Sequence, residues 1–468
     1  MEMLSCHLNR SSKVPLYEQL YNFIKSEIIE GRIEYGAKLP SKRKLSEFLR
    51  ISQNTVETAY DQLLAEGYVE SIPRKGYFVL AYEELEYVQQ NEIKVGEKEV
   101  DEGKLMYHFH PSWIDTENFP FKKWRKYAKN MIDENYHSLL LLGDMQGELE
   151  LRQEIAQYLY HARGVQCTPE QVIIGAGSEI LLQQLILLFK KDTIYGVEDP
   201  GYHIISKLLK NNEKEVYPLR VDGDGIKVKQ IEDTDIDIVY VTPSHHFPYG
   251  SVLSINRRMQ LLKWARESEN RYIIEDDYDS EFRYSGKAIP SLQSMDQAGK
   301  VIYLGSFSKS LIPSLRISYM VLPKKLWKRY KEELSFYQCT VSRIDQHILT
   351  EFMKEGDFER HLNRMRKIYR RKLDKTLELI KPFKEIQVIG EQSGLHIVLV
   401  IKNGMREEEL VERARESKIT IYPLSYYFLE KWDKNPPMII LGFAGIPEDE
   451  LEKAIHLLFN SWGLEMGK

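Results

Sequence analysis

Five short apolar runs, alternating with amphipathic stretches from about residue 107 onward, constrain the fold of this chain most. The runs are rich in β-branched residues and read QVIIGAG, DTIYGVED, DIDIVYVTP, RYIIEDDY and KVIYLGSF. Stretches such as ELRQEIAQYLYHA and RRMQLLKWARES lie before or between them and have helical periodicity. Strands that are apolar on both faces and separated by helices are typical of a mostly parallel α/β sheet.

The C-terminal part of the chain, about residues 325–468, has a different pattern. Longer helical stretches come first, and the segment EIQVIGEQSGLHIVLVI then has the pattern of paired strands. We therefore expect a small α+β subdomain at the C-terminus.

An acid-rich stretch separates the α/β region from the N-terminal segment. Residues 81–104 carry eight acidic and three basic residues and few large apolar ones. This composition predicts an extended, solvated linker. We predict a first domain over residues 13–81, an acidic linker over 82–105 and a second domain over 106–468.

Composition narrows the class of protein. Hydrophobic residues make up 43% and charged residues 29% of the 468, which is typical of a soluble globular chain. No apolar run reaches the roughly 18 to 20 residues of a membrane helix, and the N-terminus lacks the apolar core of a signal peptide. Cys6, Cys167 and Cys339 are far apart, so we expect no disulfide framework, no metal site and a reducing, cytosolic compartment.

Three amphipathic stretches followed by two β-prone runs occupy the first 80 residues. The first stretch lies between Pro15 and Gly31, and its apolar stripe consists of Leu16, Leu20, Phe23, Ile24 and Ile28. Ser41 and Ser52 can cap a second and a third helix. In the third helix, the side chains predicted to face inward are those of Val56, Tyr60, Leu63 and Leu64, and the helix is predicted to end at Gly67. The runs YVES and YFVL, joined by IPRKG, complete a winged helix-turn-helix.

Basic and polar side chains concentrate where such a domain contacts DNA. The net charge of the whole chain is −5, but the segment from Lys38 to Arg50 has five basic residues and a single acid, Glu47. Polar residues follow at the start of the third helix, which a helix-turn-helix presents to base edges. The candidate DNA contacts are Ser41, Lys42, Arg43, Ser52, Gln53, Asn54, Thr55, Arg74, Lys75 and Gly76. The alternative is a solvated basic face on a small helical interaction domain.

This N-terminal segment closely resembles the GntR-type DNA-binding domain along its whole length. The family's Leu-Pro-Ser-x-Arg, Thr-Val and Gly-x-Phe-Val patterns are matched by Leu39–Arg43, Thr55–Val56 and Gly76–Val79. Gln53 stands where many relatives carry Arg, so a DNA sequence preference cannot be transferred from them. The resemblance implies double-stranded DNA as a partner.

The segment YLGSFSKSLIPSLRISYMVLP contains a candidate cofactor lysine. A strand over Val301–Leu304 ends in a loop with two serines and Lys309, and Arg316 follows seven residues later. A desolvated lysine amine can form a Schiff base with an aldehyde, and hydroxyls with a guanidinium bind phosphate. On its own, this pattern could also be an exposed lysine.

Three further segments carry the side chains that a pyridoxal phosphate site needs. Asp276, at a strand end, could pair with the pyridine nitrogen, and Tyr278 could donate to the phenolic oxygen. The backbone at Gly177 and Ser178 opens an apolar helix whose start suits a phosphate dianion. Tyr202 could stack on the ring. Singly, these residues could be a cap, a tight turn and core aromatics.

In this order, the segments resemble the fold-type I aminotransferases over about residues 107–465, and the two-part architecture resembles the MocR/GabR family of transcriptional regulators. The resemblance implies pyridoxal 5′-phosphate as cofactor, with Lys309 as its Schiff-base lysine and Asp276 at the pyridinium. It also implies a homodimer. The implied cofactor-binding residues are Lys309, Asp276, Tyr278, Tyr202, Gly177, Ser178, Glu179 (through its backbone), Ser306, Ser308 and Arg316.

Three positions depart from the aminotransferase pattern. The loop TPSHHFPYG lacks the Asn that contacts the ring oxygen, and Phe247 or His246 takes its place. The run PPMIILGFAGI has Ile440 or a neighbour where an Arg would clamp the substrate carboxylate. Leu142 stands where many relatives have a Tyr that helps to bind the neighbouring subunit's cofactor.

Three functions fit the sequence. The first, which we prefer, is a dimeric regulator that binds two DNA half-sites. An amine or amino-acid-like effector acts at its cofactor and changes the affinity of the dimer for DNA. The second is a working aminotransferase with a DNA-binding appendage, and the missing Asn and Arg disfavour it. The third is a dimerisation scaffold with a vestigial site, which the intact Lys309 and Asp276 disfavour.

Overall fold

The structure of the protein, a computed structural model, describes residues 6, 8–12, 14–80, 106–131, 137–286, 289–430 and 436–464. The chain divides into two units, Met1–Asp101 and Glu102–Lys468. The predicted linker over 82–105 lies outside the described residues. Within the described ranges, no helix combines the length and apolar character needed to cross a membrane.

The N-terminal unit is a three-helix winged helix-turn-helix. Its elements are α1 (Leu16–Ile29), α2 (Lys42–Leu49), α3 (Gln53–Ala65), β1 (Val69–Ile72) and β2 (Gly76–Val79). The two strands pair antiparallel, with Val69 opposite Val79 and Ile72 opposite Gly76. The number, order and type of the predicted elements are confirmed.

The core of this unit forms where the apolar stripes of α1 and α3 meet. Leu20 and Ile24 of α1 are fully buried with Val56 and Leu63 of α3. The prediction for Leu64 is wrong, because its side chain is 39% exposed. A helix turns by 100° per residue, so a stripe centred on positions 56, 60 and 63 leaves the next residue near the helix edge.

The second unit contains a central sheet and a smaller C-terminal sheet. Its strands are β3 (Tyr107–His108), β4 (Val172–Gly175), β5 (Ile194–Asp199), β6 (Glu215–Asp222), β7 (Gly225–Ile226), β8 (Ile238–Val241), β9 (Tyr272–Asp277), β10 (Val301–Ser306), β11 (Ser318–Val321), β12 (Ile386–Ile389), β13 (His396–Ile401), β14 (Ile419–Thr420), β15 (Tyr422–Pro423) and β16 (Met438–Gly442). Its helices are α4 (Phe121–Met131), α5 (Leu149–Arg163), α6 (Ser178–Leu187), α7 (His203–Asn211), α8 (Lys229–Glu232), α9 (Ile255–Arg266), α10 (Lys324–Glu333), α11 (Arg343–Lys354), α12 (Asp357–Ile380), α13 (Glu407–Glu416) and α14 (Leu451–Ser461).

The central sheet has eight strands in the order β4-β11-β10-β9-β8-β5-β6-β7. All five β-branched runs singled out in the sequence are strands of it, namely β4, β5, β8, β9 and β10. Strands β6, β5, β8, β9 and β10 run parallel, and β11 lies antiparallel between β10 and β4. The carboxyl ends of the parallel strands and of β4 therefore meet at one edge, where open α/β sheets bind ligands.

Helices cover both faces of this sheet. On β9, Ile274 packs in one apolar cluster with Leu181 of α6, whereas its neighbour Ile273 packs in another with Leu261 of α9. This alternation follows from the period of two in a strand and explains why the runs are apolar throughout.

The C-terminal sheet has the order β12-β13-β16-β15. The predicted pairing within EIQVIGEQSGLHIVLVI is confirmed, since β12 and β13 are antiparallel with Ile386 opposite Ile401. The segment that begins the second unit joins this region, because β3 pairs parallel with β14.

Candidate cofactor pocket and DNA-binding surface

A cavity of about 180 Å³ lies at the carboxyl edge of the central sheet. All of the predicted cofactor residues except Gly177 line it, and Gly177 is the residue that precedes α6. The lining residues are Ser112, Ser178, Glu179, Tyr202, Thr242, Phe247, Asp276, Tyr278, Gly305, Ser306, Ser308, Lys309, Pro313, Arg316 and Ser318.

Lys309 follows β10 and reaches into this cavity. Its Nζ donates to the carbonyl oxygen of Pro111 at 3.3 Å and lies 4.6 Å from the centroid of the Tyr278 ring. Burial lowers the pKa of Lys309, and the carboxylates of Asp279 and Asp276 partly oppose this. A lysine in such surroundings has a larger neutral, nucleophilic fraction than an exposed one.

Asp276 lies near the end of β9 and accepts a hydrogen bond from the hydroxyl of Tyr240. Burial raises the pKa of Asp276 to about 7. A carboxyl group in this state gains most from a cationic N–H partner, because such a partner restores the favourable environment that burial removes.

Tyr278 is held by two residues that the sequence analysis did not single out. The Tyr278 hydroxyl lies 3.0 Å from His245 Nδ1, which in turn lies 2.8 Å from Asp279 Oδ1. The proximity of His245, about 33 residues away in sequence, depends on the parallel pairing of β8 and β9. Asp279 belongs to the acidic run RYIIEDDYD that the sequence analysis quoted, but its contact with His245 could not be predicted from that run.

The start of α6 and the loop after β10 form a polar corner of the cavity. No side chain caps α6, and Gly177 before it has φ +106°, a backbone conformation that favours glycine. Arg316 Nη2 is 2.8 Å from Glu179 Oε2. Ser306 Oγ lies 3.0 Å from the hydroxyls of both Ser308 and Ser318. Ser318 was not predicted, because only the pairing of β11 with β10 brings it there.

Aromatic side chains form a further wall. The rings of Tyr202 and Phe247 meet edge to face with centroids 6.0 Å apart. Of the two residues that could replace the missing Asn, Phe247 lines the cavity, whereas His246 is buried with its Nε2 3.8 Å from Glu198. Ile440, where the carboxylate-binding Arg was expected, is fully buried in the same apolar cluster as Phe247.

The candidate DNA contacts of the N-terminal unit fall on α2 and the start of α3. Ser41 and Ser52 cap these helices by accepting from the backbone N–H of Lys44 at 3.3 Å and Thr55 at 3.1 Å. The side chain of Arg43 is 79% exposed.

The remaining candidates lie at the first turn of α3 and in the wing. Gln53 and Asn54 are exposed in that turn. Arg74 and Lys75 are exposed between β1 and β2, and Gly76 follows them with φ +112°. Lys42 forms an ion pair with Glu57 of α3, so part of its charge is already neutralised.

Comparison with known proteins identifies the family to which the chain belongs. The model for "Bacterial regulatory proteins, gntR family" matches residues 16–79, and the model for "Aminotransferase class I and II" matches residues 114–458. The chain belongs to the aminotransferase class I and II family and carries a gntR-family domain in front of it. It is a helix-turn-helix transcriptional regulator with an aminotransferase-like domain, and the family implies pyridoxal phosphate as cofactor.

Individual relatives agree with this class. The chain is 46% identical to the "Uncharacterized HTH-type transcriptional regulator YdeL" of Bacillus subtilis (strain 168), over 97% of this chain and 98% of that protein. It is 31% identical to the "Probable rhizopine catabolism regulatory protein MocR" of Rhizobium meliloti, over 96% and 94%. The crystal structure of a multiple substrate aminotransferase from Thermococcus profundus has a TM-score of 0.67 at 24% identity, over 77% of this chain and 92% of that one. This last likeness concerns the fold.

Proposed function

We propose that pyridoxal phosphate binds at Lys309 and that an amine or amino-acid-like effector, entering the same cavity, changes the affinity of a dimer for DNA. The observation that carries the proposal is the convergence of Lys309, Asp276, Tyr278 and Arg316, which come from distant parts of the sequence, on one cavity. A ligand controls DNA binding in this way when it binds two conformations of the protein with different free energies.

The residues present fit this cofactor. When bound, pyridoxal phosphate supplies an aldehyde that reacts reversibly with primary amines and a ring that withdraws electrons. Lys309 contributes the amine that holds the aldehyde, Asp276 contributes a carboxylate for the ring nitrogen, and Tyr278 contributes a hydroxyl donor. The carboxyl of Asp276, whose pKa burial raises to about 7, would be stabilised by that cationic nitrogen.

The polar corner suits the phosphate group. The uncapped start of α6 offers backbone N–H groups and the positive end of the helix dipole. Ser306 and Ser308 add hydroxyl donors, and Arg316 adds a guanidinium whose remaining N–H groups are available beside Glu179.

A second copy of the chain is the proposed partner in solution. Leu140, Leu141 and Leu142 are 79%, 70% and 81% exposed, which is an apolar run that an interface would cover. A dimer would carry two winged helices to two half-sites, and two tethered contacts bind more tightly than one.

The alternative function is a catalytically active aminotransferase. The complete set of Lys309, Asp276 and Tyr278 favours it. Phe247 and Ile440 disfavour it, because apolar side chains occupy the places of a ring-oxygen donor and a carboxylate clamp.

A visible-absorbance titration separates the two functions. The purified full chain, loaded with pyridoxal phosphate, is titrated with amines and amino acids and followed over time. We expect at least one compound to change the cofactor band persistently without forming a carbonyl product. Conversion of the cofactor to its amine form, reversed by a keto acid, would identify an aminotransferase.

A further inference from the structure

The wall of the cavity at Phe247 and Tyr202 is aromatic, and a buried apolar cluster lies behind it. Phe247 packs edge to face on Tyr427, with centroids 5.0 Å apart, and lies 5.3 Å from the ring of His396. Behind these rings, the cluster continues into the C-terminal sheet through Val398, Val400, Leu424, Met438 and Ile440. A molecule that enters beside Phe247 therefore meets an aromatic ring that is backed by apolar side chains, where an Asn would have offered a hydrogen-bond donor.

Once the cofactor is bound, the cavity lining offers no further cationic side chain to an anionic effector, because Lys309 would hold the aldehyde and Arg316 the phosphate. Lys309 and Arg316 are the cationic side chains among the residues lining it, and Arg316 is already paired with Glu179 at 2.8 Å. The acidic groups that act on Lys309 are those of Asp279 and Asp276, which raise its pKa against the effect of burial.

Burial disfavours the charged form of two histidines near Lys309, His110 and His396. Burial lowers the pKa of His110 to about 4 and that of His396 to about 3. His245 Nδ1 lies 2.8 Å from Asp279 Oδ1, so this ring nitrogen already has an acidic partner.

Resting on the proposed function, we infer that the effector is a primary amine with an apolar body and no carboxylate. Its amine would react with the aldehyde that Lys309 holds, and its apolar body would lie beside Phe247. A carboxylate brought into this cavity would lose its hydration without finding a cationic partner among the lining residues other than Lys309 and Arg316, which the cofactor would engage, and this loss is costly.

The test compares amines with amino acids that differ from them only by the carboxylate. The full chain, loaded with pyridoxal phosphate, is titrated with 2-phenylethylamine against phenylalanine and with 3-methylbutylamine against leucine. Cofactor absorbance gives the half-saturating concentration, and fluorescence anisotropy of labelled DNA selected by the chain gives the DNA affinity. We expect each amine to act at a concentration at least about tenfold lower than its amino acid.

Two variants with different chemistry at one position test the apolar wall. Phe247→Leu keeps the wall apolar and should keep the amine preference, whereas Phe247→Gln should reduce it several-fold. Cofactor absorbance recorded before the titration shows whether each variant is folded and loaded.

The possible outcomes separate the inferred effector class from the proposed cofactor binding. An amino acid that acts as well as its amine, or a loaded protein whose cofactor band none of the four compounds changes, would overturn the inferred effector class and leave cofactor binding standing. Failure of the parent chain to form a cofactor band at all would instead overturn the proposed function.

Discussion

Asp276 shows how a single residue can be unfavourable for the fold and favourable for binding. Its carboxyl group is buried near the end of β9, with a tyrosine hydroxyl as a donor. Such sites are typically those where a protein gives up stability for a ligand.

Replacing Asp276 with Asn should stabilise the cofactor-free protein. The pKa of Asp276 is raised to about 7, so its charged form is disfavoured in the folded state. Its contribution to stability is therefore largest at low pH and falls as the pH rises from about 4 to about 7. We expect a gain of about 1–3 kcal/mol for Asp276→Asn at pH 8 and little change at pH 4.

Calorimetric melting of the cofactor-free variant and parent at both pH values checks this prediction. The same substitution should weaken pyridoxal phosphate binding by about tenfold or more, because the amide cannot neutralise the ring nitrogen. Lower stability than the parent at both pH values would contradict the account.

Arg43 is the most suitable residue for testing the predicted DNA-binding surface. It is 79% exposed at the start of α2, with Glu47 at 3.0 Å. If it contacts one phosphate, Arg43→Ala should lower DNA affinity and reduce the salt slope by about one unit.

A matched control for this prediction is Arg329→Ala. Arg329 is also exposed and paired with an acid four residues later, Glu333, but it lies in the second unit. Electrophoretic mobility shifts at several salt concentrations should show no change for the control. An equal loss in both variants would mean that Arg43 acts through net charge and not through a contact.

At the scale of elements, the segment that begins the second unit lies against the proposed cofactor cavity. Strand β3 pairs with β14, and the backbone N–H of Gly442 in β16 donates to Phe109 O at 3.1 Å. Two residues later, Pro111 O accepts from Lys309 Nζ, and Ser112 lines the cavity.

Gly442→Ala should disturb this arrangement. The added Cβ would lie 2.2 Å from the carbonyl oxygen of His110, so the segment must move away. We expect a loss of about 1–3 kcal/mol in unfolding free energy and weaker cofactor binding. The control is Gly223→Ala, where a Cβ would meet nothing within 4 Å.

Chemical denaturation and a cofactor titration measure the two effects. If the Gly442 variant matched the Gly223 variant in both, the close packing of β16 on this segment would be unimportant for the cavity.

At the scale of the whole molecule, the local sequence pattern predicted the helices and strands. The pairing of the strands determined which further residues enter the cavity. The five β-branched runs, the three N-terminal helices and the wing were all predictable, because period and capping residues determine them locally. Lys309, Asp276 and Tyr278 were predicted from their positions at strand ends, and they line one cavity in the structure.

The site residues that the sequence did not predict depend on which strands pair with each other and in which register. Ser318 enters the site because β11 runs antiparallel beside β10, and His245 reaches Tyr278 because β8 pairs with β9. Leu64 was misplaced because one residue of helical rotation separates a buried position from the helix edge.

The most direct test of the central claim measures DNA affinity with and without an active amine, in the parent and in Lys309→Ala. Both proteins are expected to bind DNA, because the winged helix has its own core. The account predicts that the amine changes the dissociation constant of the parent several-fold and leaves that of Lys309→Ala unchanged. An equal change in both proteins, or loss of all DNA binding in Lys309→Ala, would contradict control of DNA binding through the cofactor site.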